Sequence, residues 1–323
     1  MTFPVSHSTL DATALAAEVQ RRYGIAGPLR CRLVARGSND IYLTENGTGQ
    51  YALRVSRAQH RSGTEIQFET QLLSHLAQLG LPVPTPIALR DGSQSFSVLA
   101  PEGERPIVMM SWIAGRPLNR QMSAIEAGKA GELLGQINAA ASSFQTPQPK
   151  LIDTVARIKR QQQHLDRLLP VGSIERASFD QGLQAVEAAF ESHAMRGLRH
   201  GAIHGDFQHA NLLQNHGGAL AAIDFDDCGI DIIAKDLITF EWRARLDALD
   251  AGVIDAFRQA YERIFPLSPQ EHAALPVLRI ARDLYLLASY AAYIDRIGPV
   301  DGFERPERLL ALLIEDLDHL QNT

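Results

Sequence analysis

Residues 202–213, AIHGDFQHANLL, crowd two histidines, an aspartate and an asparagine between apolar runs. Three chemistries suit those residue types. His200, His204, Asp206, His209 and His216 are of the kinds that bind Zn²⁺ or Fe, as a metal-dependent hydrolase would, although neither H-E-x-x-H nor a tight H-x-H pair is present. Asp206 and Asn211 are equally residues that cap turns. The third chemistry is phosphoryl transfer, which needs a carboxylate beside the attacking hydroxyl and oxygen ligands holding a divalent cation across nucleotide phosphates.

Spacing favours the third. Asn211 follows Asp206 by five residues, and the later AIDFDD segment puts Asp224 thirteen residues beyond Asn211, with NHGG between them as a hairpin turn. In protein kinases the same jobs fall to H-R-D-x-x-x-x-N and D-F-G across a short β-hairpin. Three polar residues at those separations are far more specific than any one of them.

The elements that must position this loop are legible in the hydrophobic pattern. A helix is expected over 10–22, then strands in LRCRLVAR, IYLTEN and YALRVS, with NGTGQ as a turn. Phe68, Leu72, Leu76 and Leu79 predict a helix over 64–79 that stops at Gly80. Prolines exclude helix from LPVPTP. QSFSVLAP and PIVMMSWI follow as strands joined by the EGER turn. Ser123 and Glu126 have capping-box spacing and open a helical region reaching about 196. Residues 201–225 form a strand-and-loop island, and the chain is helical from about 234 onward, with breaks near Pro266–Pro269 and at 298–299. The expected division is a strand-rich lobe over 1–112 and a helical lobe over 113–323, with a hinge at about 109–115.

With these residues in view, the chain resembles the aminoglycoside phosphotransferase/choline kinase superfamily, whose members have a protein-kinase-like fold. HGDFQHANLL and AIDFDD match its marker. GLPVPTPIAL, APEGERPIVMMSWIAGRPL and KDLITF are similar to the bacterial branch of stress-response and type-II homoserine-kinase-like proteins. The resemblance implies an α+β fold with two lobes: a small antiparallel sheet with one key helix, and a larger, mainly helical lobe. It also implies ATP and Mg²⁺ as cofactors, Asp206 as catalytic residue, and Asn211 and Asp224 as metal ligands.

Ala52 and Arg54 share one face of YALRVS, matching the kinase A-x-K with Arg in place of Lys. Arg carries a permanent charge and a planar fork, so it can hold phosphate oxygens without being equivalent to Lys. Glu69, preferred to Glu65, is the pairing carboxylate. ARGSNDIY has one glycine where kinases have three, so phosphate cradling rests on backbone N–H groups at Gly37, Ser38 and Asn39. Met110, with Met109, suits the adenine-binding connector or plain core. Asp236 resembles the family's brace for the catalytic loop, and Asp226 suits either a supporting role at the metal or contact with a cationic substrate.

Composition bounds the rest. A net charge of −6 argues against nucleic-acid binding. Cys31 and Cys228 alone make no disulfide framework and suit a cytoplasmic protein. No apolar run is long enough for a membrane span. The acceptor is expected to be a small-molecule hydroxyl in an enclosed acidic pocket, with a protein Ser/Thr side chain as the alternative. A nucleotide-binding pseudokinase would need Arg54 or the short glycine turn to prevent turnover.

Overall fold

The alternating segments of the first hundred residues form a five-stranded antiparallel sheet in the computed structural model, which describes residues 5–297 and 306–322. Its strands are β1 (Arg30–Arg36), β2 (Asn39–Asn46), β3 (Gly49–Ser56), β4 (Phe96–Ala100) and β5 (Gly103–Ser111), in the order β1-β2-β3-β5-β4. Helix α1 (Ala12–Tyr23) and helix α2 (Gly63–Gln78) complete this region. The chain divides into two compact units. The first is residues 1–116, joined by 143–150 and 213–226; the second is 117–142, 151–212 and 227–323.

In the first unit the two faces of β3 serve different purposes. Leu53 and Val55 enter an apolar cluster with Leu15 and Val19 of α1, Tyr42, Ile107 and Met109. Burying such side chains fully is worth about 1.5–3 kcal/mol each. The opposite face carries Arg54, which meets Glu69 of α2. Helix α2 is started by a capping box in which Ser62 and Glu65 satisfy each other's backbone N–H groups. That assignment leaves Glu65 at the helix start and Glu69 one turn inward. The EGER turn is shorter than expected: β5 begins at Gly103, and Arg105 is fully buried, bonding Asp40 at 2.9 Å.

The remaining elements are β6 (Arg116–Pro117), α3 (Ala124–Ala141), α4 (Thr154–Gln162), α5 (Ile174–Glu191), α6 (His193–Arg196) and β7 (His200–Ile203). They continue with β8 (Leu212–Gln214), β9 (Leu220–Ala222), β10 (Gly229–Ile232), α7 (Ala234–Leu246), α8 (Ala251–Ile264), α9 (Pro269–Ile297) and α10 (Pro306–Gln321). In the second unit β7 pairs antiparallel with β10, aligning Ile203 with Gly229. The expected break falls between α8 and α9, and proline at the start of α9 costs nothing because its N–H would have no partner there. The expected break at 298–299 lies outside the described residues. Among those residues no helix is long and apolar enough to cross a membrane.

Candidate active site

The loop after β7 is shaped from beneath by Asp236, at the start of α7. Its carboxylate accepts the backbone N–H groups of His204 at 2.8 Å and Gly205 at 2.9 Å. Burial pushes the Asp236 carboxyl up to about 7, against the lowering effect of those two donors. Gly205 has φ +85°, and a Cβ there would strike the Asp227 backbone, so the turn requires glycine. His204 is fully buried and packs edge-on against Phe207 at 5.6 Å. His209 is turned onto Asp247 at 2.7 Å, and the His200 ring onto the Leu198 carbonyl. The histidines are thus dispersed onto separate partners. No grouping of three His, Cys, Asp or Glu among the described residues is arranged to hold a metal ion. The histidine-cluster reading of this stretch gives way to a loop built around one carboxylate.

That carboxylate is Asp206. Oδ1 accepts from Arg282 of α9 at 2.7 Å; Oδ2 accepts from Gln208 at 2.7 Å and from Asn211 at 3.0 Å. An ionised carboxylate offers about four lone-pair positions, so three donors fix its plane and leave room for one more. Asn211 Nδ2 also donates to the Asp206 backbone carbonyl at 2.9 Å. Both contacts are acceptors, so the amide nitrogen must face Asp206 and the amide oxygen faces away from it. An outward amide oxygen is a hard donor of the type that binds Mg²⁺ or Ca²⁺. Sequence spacing brings Asp206 and Asn211 to notice; Arg282, 76 residues away, carries no local signal.

In the first unit, Arg54 is 2% exposed and Glu69 1% exposed. Arg54 Nη1 and Nη2 each reach Glu69 at 2.5 Å, and Arg61 adds a third bond to Glu69 at 2.5 Å. Burial by itself would lower the Arg54 pKa and raise that of Glu69. The mutual attraction outweighs it, holding Arg54 above and Glu69 below their ordinary values. Asp226 and Asp224 add to the field that keeps Arg54 charged. Arg54 thus spends its fork on Glu69, and its Nε is buried without a partner.

Asn39, in the single-glycine turn, donates to Asp226 Oδ2 at 2.7 Å, while its own Oδ1 is buried without a hydrogen bond. Asp226 is held below the ordinary carboxylate value: burial opposes this, but Arg54 and Arg61 prevail. Ser38 is exposed beside it. Ala52 pairs with Met110 across β3 and β5. Met109 belongs to the apolar cluster under α1, and Met110 is buried as well, on the other face of β5. Asp224 is exposed and has φ +66°, a conformation that costs a non-glycine residue on the order of 1–3 kcal/mol and is concentrated at functional sites. Within the first unit, an exposed carboxylate and a charge-balanced arginine pair are groups of the kinds that suit a divalent cation and a polyphosphate. Arg61 and Asn39's tie to Asp226 were not anticipated: Arg61 precedes α2 and lies outside its periodic pattern, and Asn39 meets a residue 187 positions away.

A small cleft lies within the second unit next to this loop. Gly205 and Arg282 line it with residues of α4, β10, α7 and α9. It was expected to be acidic. Asp227 and Asp231 are there, but so are Arg157, Lys235 and Arg282, so the lining carries both signs.

Comparison with known proteins gives the family and the fold. Residues 30–278 match the phosphotransferase enzyme family. A homoserine kinase of Methylobacillus glycogenes is 29% identical over 264 residues, covering 80% of this chain and 79% of its own. Among solved structures, amicoumacin kinase hAmiN in complex with AMP-PNP, Ca²⁺ and Ami superimposes with a TM-score of 0.75 at 16% identity, covering 96% of this chain and 94% of that one. A microcompartment-associated aminopropanol kinase gives 0.72 at 21% identity, covering 96% and 98%. The fold is therefore protein-kinase-like, and the chain belongs to the phosphotransferase enzyme family, with a hydroxyl group as phosphate acceptor.

Proposed function

We propose that this chain transfers the γ-phosphate of ATP to a hydroxyl of a small molecule, using Mg²⁺. The Asp206 carboxylate carries the reading. It is held in one orientation by Arg282, Gln208 and Asn211, and its open lone pair accepts the hydrogen bond of the acceptor hydroxyl. Asp206 thereby aims the oxygen and takes its proton as it bonds to phosphorus. Asn211 and Asp224 would hold the cation, which neutralises charge on the phosphate oxygens. Arg54, braced by Glu69, supplies positive charge toward the nucleotide phosphates, with the backbone of Ser38 and Asn39 covering them. Ala52 and Met110 form the apolar surface for the adenine.

The cleft beside Gly205 supports a small acceptor over a protein Ser/Thr side chain, and the relatives' names point the same way: homoserine kinase, amicoumacin kinase, aminopropanol kinase. The test is ADP release screened against a panel of small alcohols and a generic protein acceptor, with and without Mg²⁺. Turnover with at least one small alcohol, dependent on Mg²⁺, is expected. Turnover of the protein acceptor alone would contradict the proposal.

A further inference from the structure

Arg282 comes from outside the loop to hold the Asp206 side chain, and it is itself held. Its guanidinium reaches Asp206 at 2.7 Å and the Gly205 carbonyl at 3.3 Å. The same guanidinium lies over the Trp242 ring, 5.4 Å from the ring centre. Trp242, on α7, is 3% exposed, and its Nε1–H donates to Asp283 Oδ1 at 2.7 Å. An aromatic face attracts a cation set against it, more strongly where water is excluded. Asp283 therefore fixes the ring on which its own neighbour in α9 rests.

The surroundings of Asp283 decide its protonation. It is fully buried, and its Oδ2 meets no donor among the described residues. Beside it is Asp316 of α10, also buried, which pairs with Arg245 at 2.7 Å and Arg279 at 3.6 Å. Those two cations are matched by Asp316, which leaves Asp283 the indole N–H. Two carboxyl groups so close and dry do not both ionise. Burial, reinforced by Asp316, raises the Asp283 carboxyl well above the ordinary carboxylate range, against the weaker pull of the indole and of Arg245. Protonation turns Oδ2 from an unmatched acceptor into a donor toward Asp316 and leaves Oδ1 to accept from Trp242.

We propose that Asp283 is a positioning residue for phosphoryl transfer: as a neutral acid bridging Asp316 and Trp242, it holds the ring that backs Arg282 and, through Arg282, sets the plane of Asp206. The proposal rests on the role given to Asp206 above.

Variant kinetics with an acceptor found in the panel above test it. In Asp283→Leu both hydrogen bonds are gone, and kcat should fall roughly 5- to 30-fold, the worth of a cation–π contact expressed as a rate. Affinity for Mg²⁺ and ATP, measured by calorimetry, should hold. Asp283→Asn keeps an acceptor for Trp242 and a donor for Asp316, so it should recover most of the loss. Because Asp283 acts through Arg282, adding Asp283→Leu to Arg282→Met should lower kcat no further. A purely structural role would lower the melting temperature and leave the kcat of the folded fraction intact. Should Asp283→Leu fail to fold, Trp242→Phe carries the test: it keeps a ring but drops the N–H that Asp283 holds, so kcat should fall roughly threefold or more, and again no further beside Arg282→Met. A wild-type kcat in the folded variant, no recovery in Asp283→Asn, or losses that multiply with Arg282→Met would each overturn the proposal. The role of Asp206 fails separately, if Asp206→Asn turns over normally, whatever the Asp283 variants do.

Discussion

Replacing Glu69 by alanine removes the one carboxylate that two buried arginines share. The side chains of Arg54 and Arg61 are 3% and 4% exposed, and both touch Glu69 at 2.5 Å. Breaking a buried pair by deleting one partner costs about 3–5 kcal/mol, because the other charge is left uncompensated. Here two cations are stranded together, with Asp226 and Asp224 as the remaining negative groups in the field of Arg54. The upper part of that range, about 4–5 kcal/mol, is therefore expected. Domains of this kind have about 5–15 kcal/mol in total, so Glu69→Ala should unfold at a much lower urea concentration than wild type. The double variant Glu69→Met/Arg54→Met should recover part of the loss, since it removes both ends of one pair and refills the volume.

The pH dependence gives a second reading of the same pair. Arg54 and Arg61 overcome the effect of burial and hold the Glu69 pKa below its ordinary 4.5. A carboxyl with a depressed folded-state pKa stabilises fully above its unfolded value and loses that contribution as pH falls through the folded one. The stability gap between wild type and Glu69→Gln, measured by urea unfolding, should thus be constant near neutral pH and narrow below about pH 4.5. A Glu69→Ala loss under about 1 kcal/mol at pH 7 would refute the argument.

Three further perturbations follow from the loop and its neighbours. Asp224→Ala should abolish Mg²⁺-dependent nucleotide affinity in a calorimetric titration, and unchanged affinity would remove Asp224 from the proposed metal site. Gly205→Ala places a methyl at φ +85° against the Asp227 backbone; it should cost at least about 1–2 kcal/mol in stability and lower kcat, and wild-type values for both would show that the turn tolerates a side chain. Arg282→Met frees one oxygen of Asp206; kcat should fall while ATP affinity, followed by calorimetry, stays within about twofold, and an unchanged kcat would mean that Arg282 does not orient the carboxylate.

What could be read from the chain itself was local. The period of two in YALRVS separates Leu53 and Val55 from Arg54, and the sheet keeps that separation. Helix signals worked where a cap and a periodic face coincide, as at Ser123 and Glu126. Pairings between distant residues leave no such trace: Asn39 reaches Asp226 across 187 positions, and Arg282 comes from a helix that begins 63 residues after Asp206. The cleft was expected to be acidic because the neighbouring 224–236 segment is rich in aspartate. Its cations come from α4, α7 and α9, which only the fold places around it. Pro276 shows the limit from the other side. It lies inside α9 without ending it, although an interior proline removes one ladder hydrogen bond.

The central claim is that Asp206 acts on the acceptor hydroxyl and not on the nucleotide, and Asp206→Asn tests it directly. The change is nearly isosteric, but the new amide must present its nitrogen either to Arg282 or to the donors Gln208 and Asn211. A small loss of stability is therefore expected and is checked by thermal melting. With an acceptor found in the panel, kcat should fall by roughly 10²–10⁴, the usual contribution of a positioned general base. Affinity for Mg²⁺ and ATP, measured by calorimetry on the same preparation, should change little. A variant that turns over at the wild-type rate, or one that loses nucleotide affinity in step with kcat, would contradict the account.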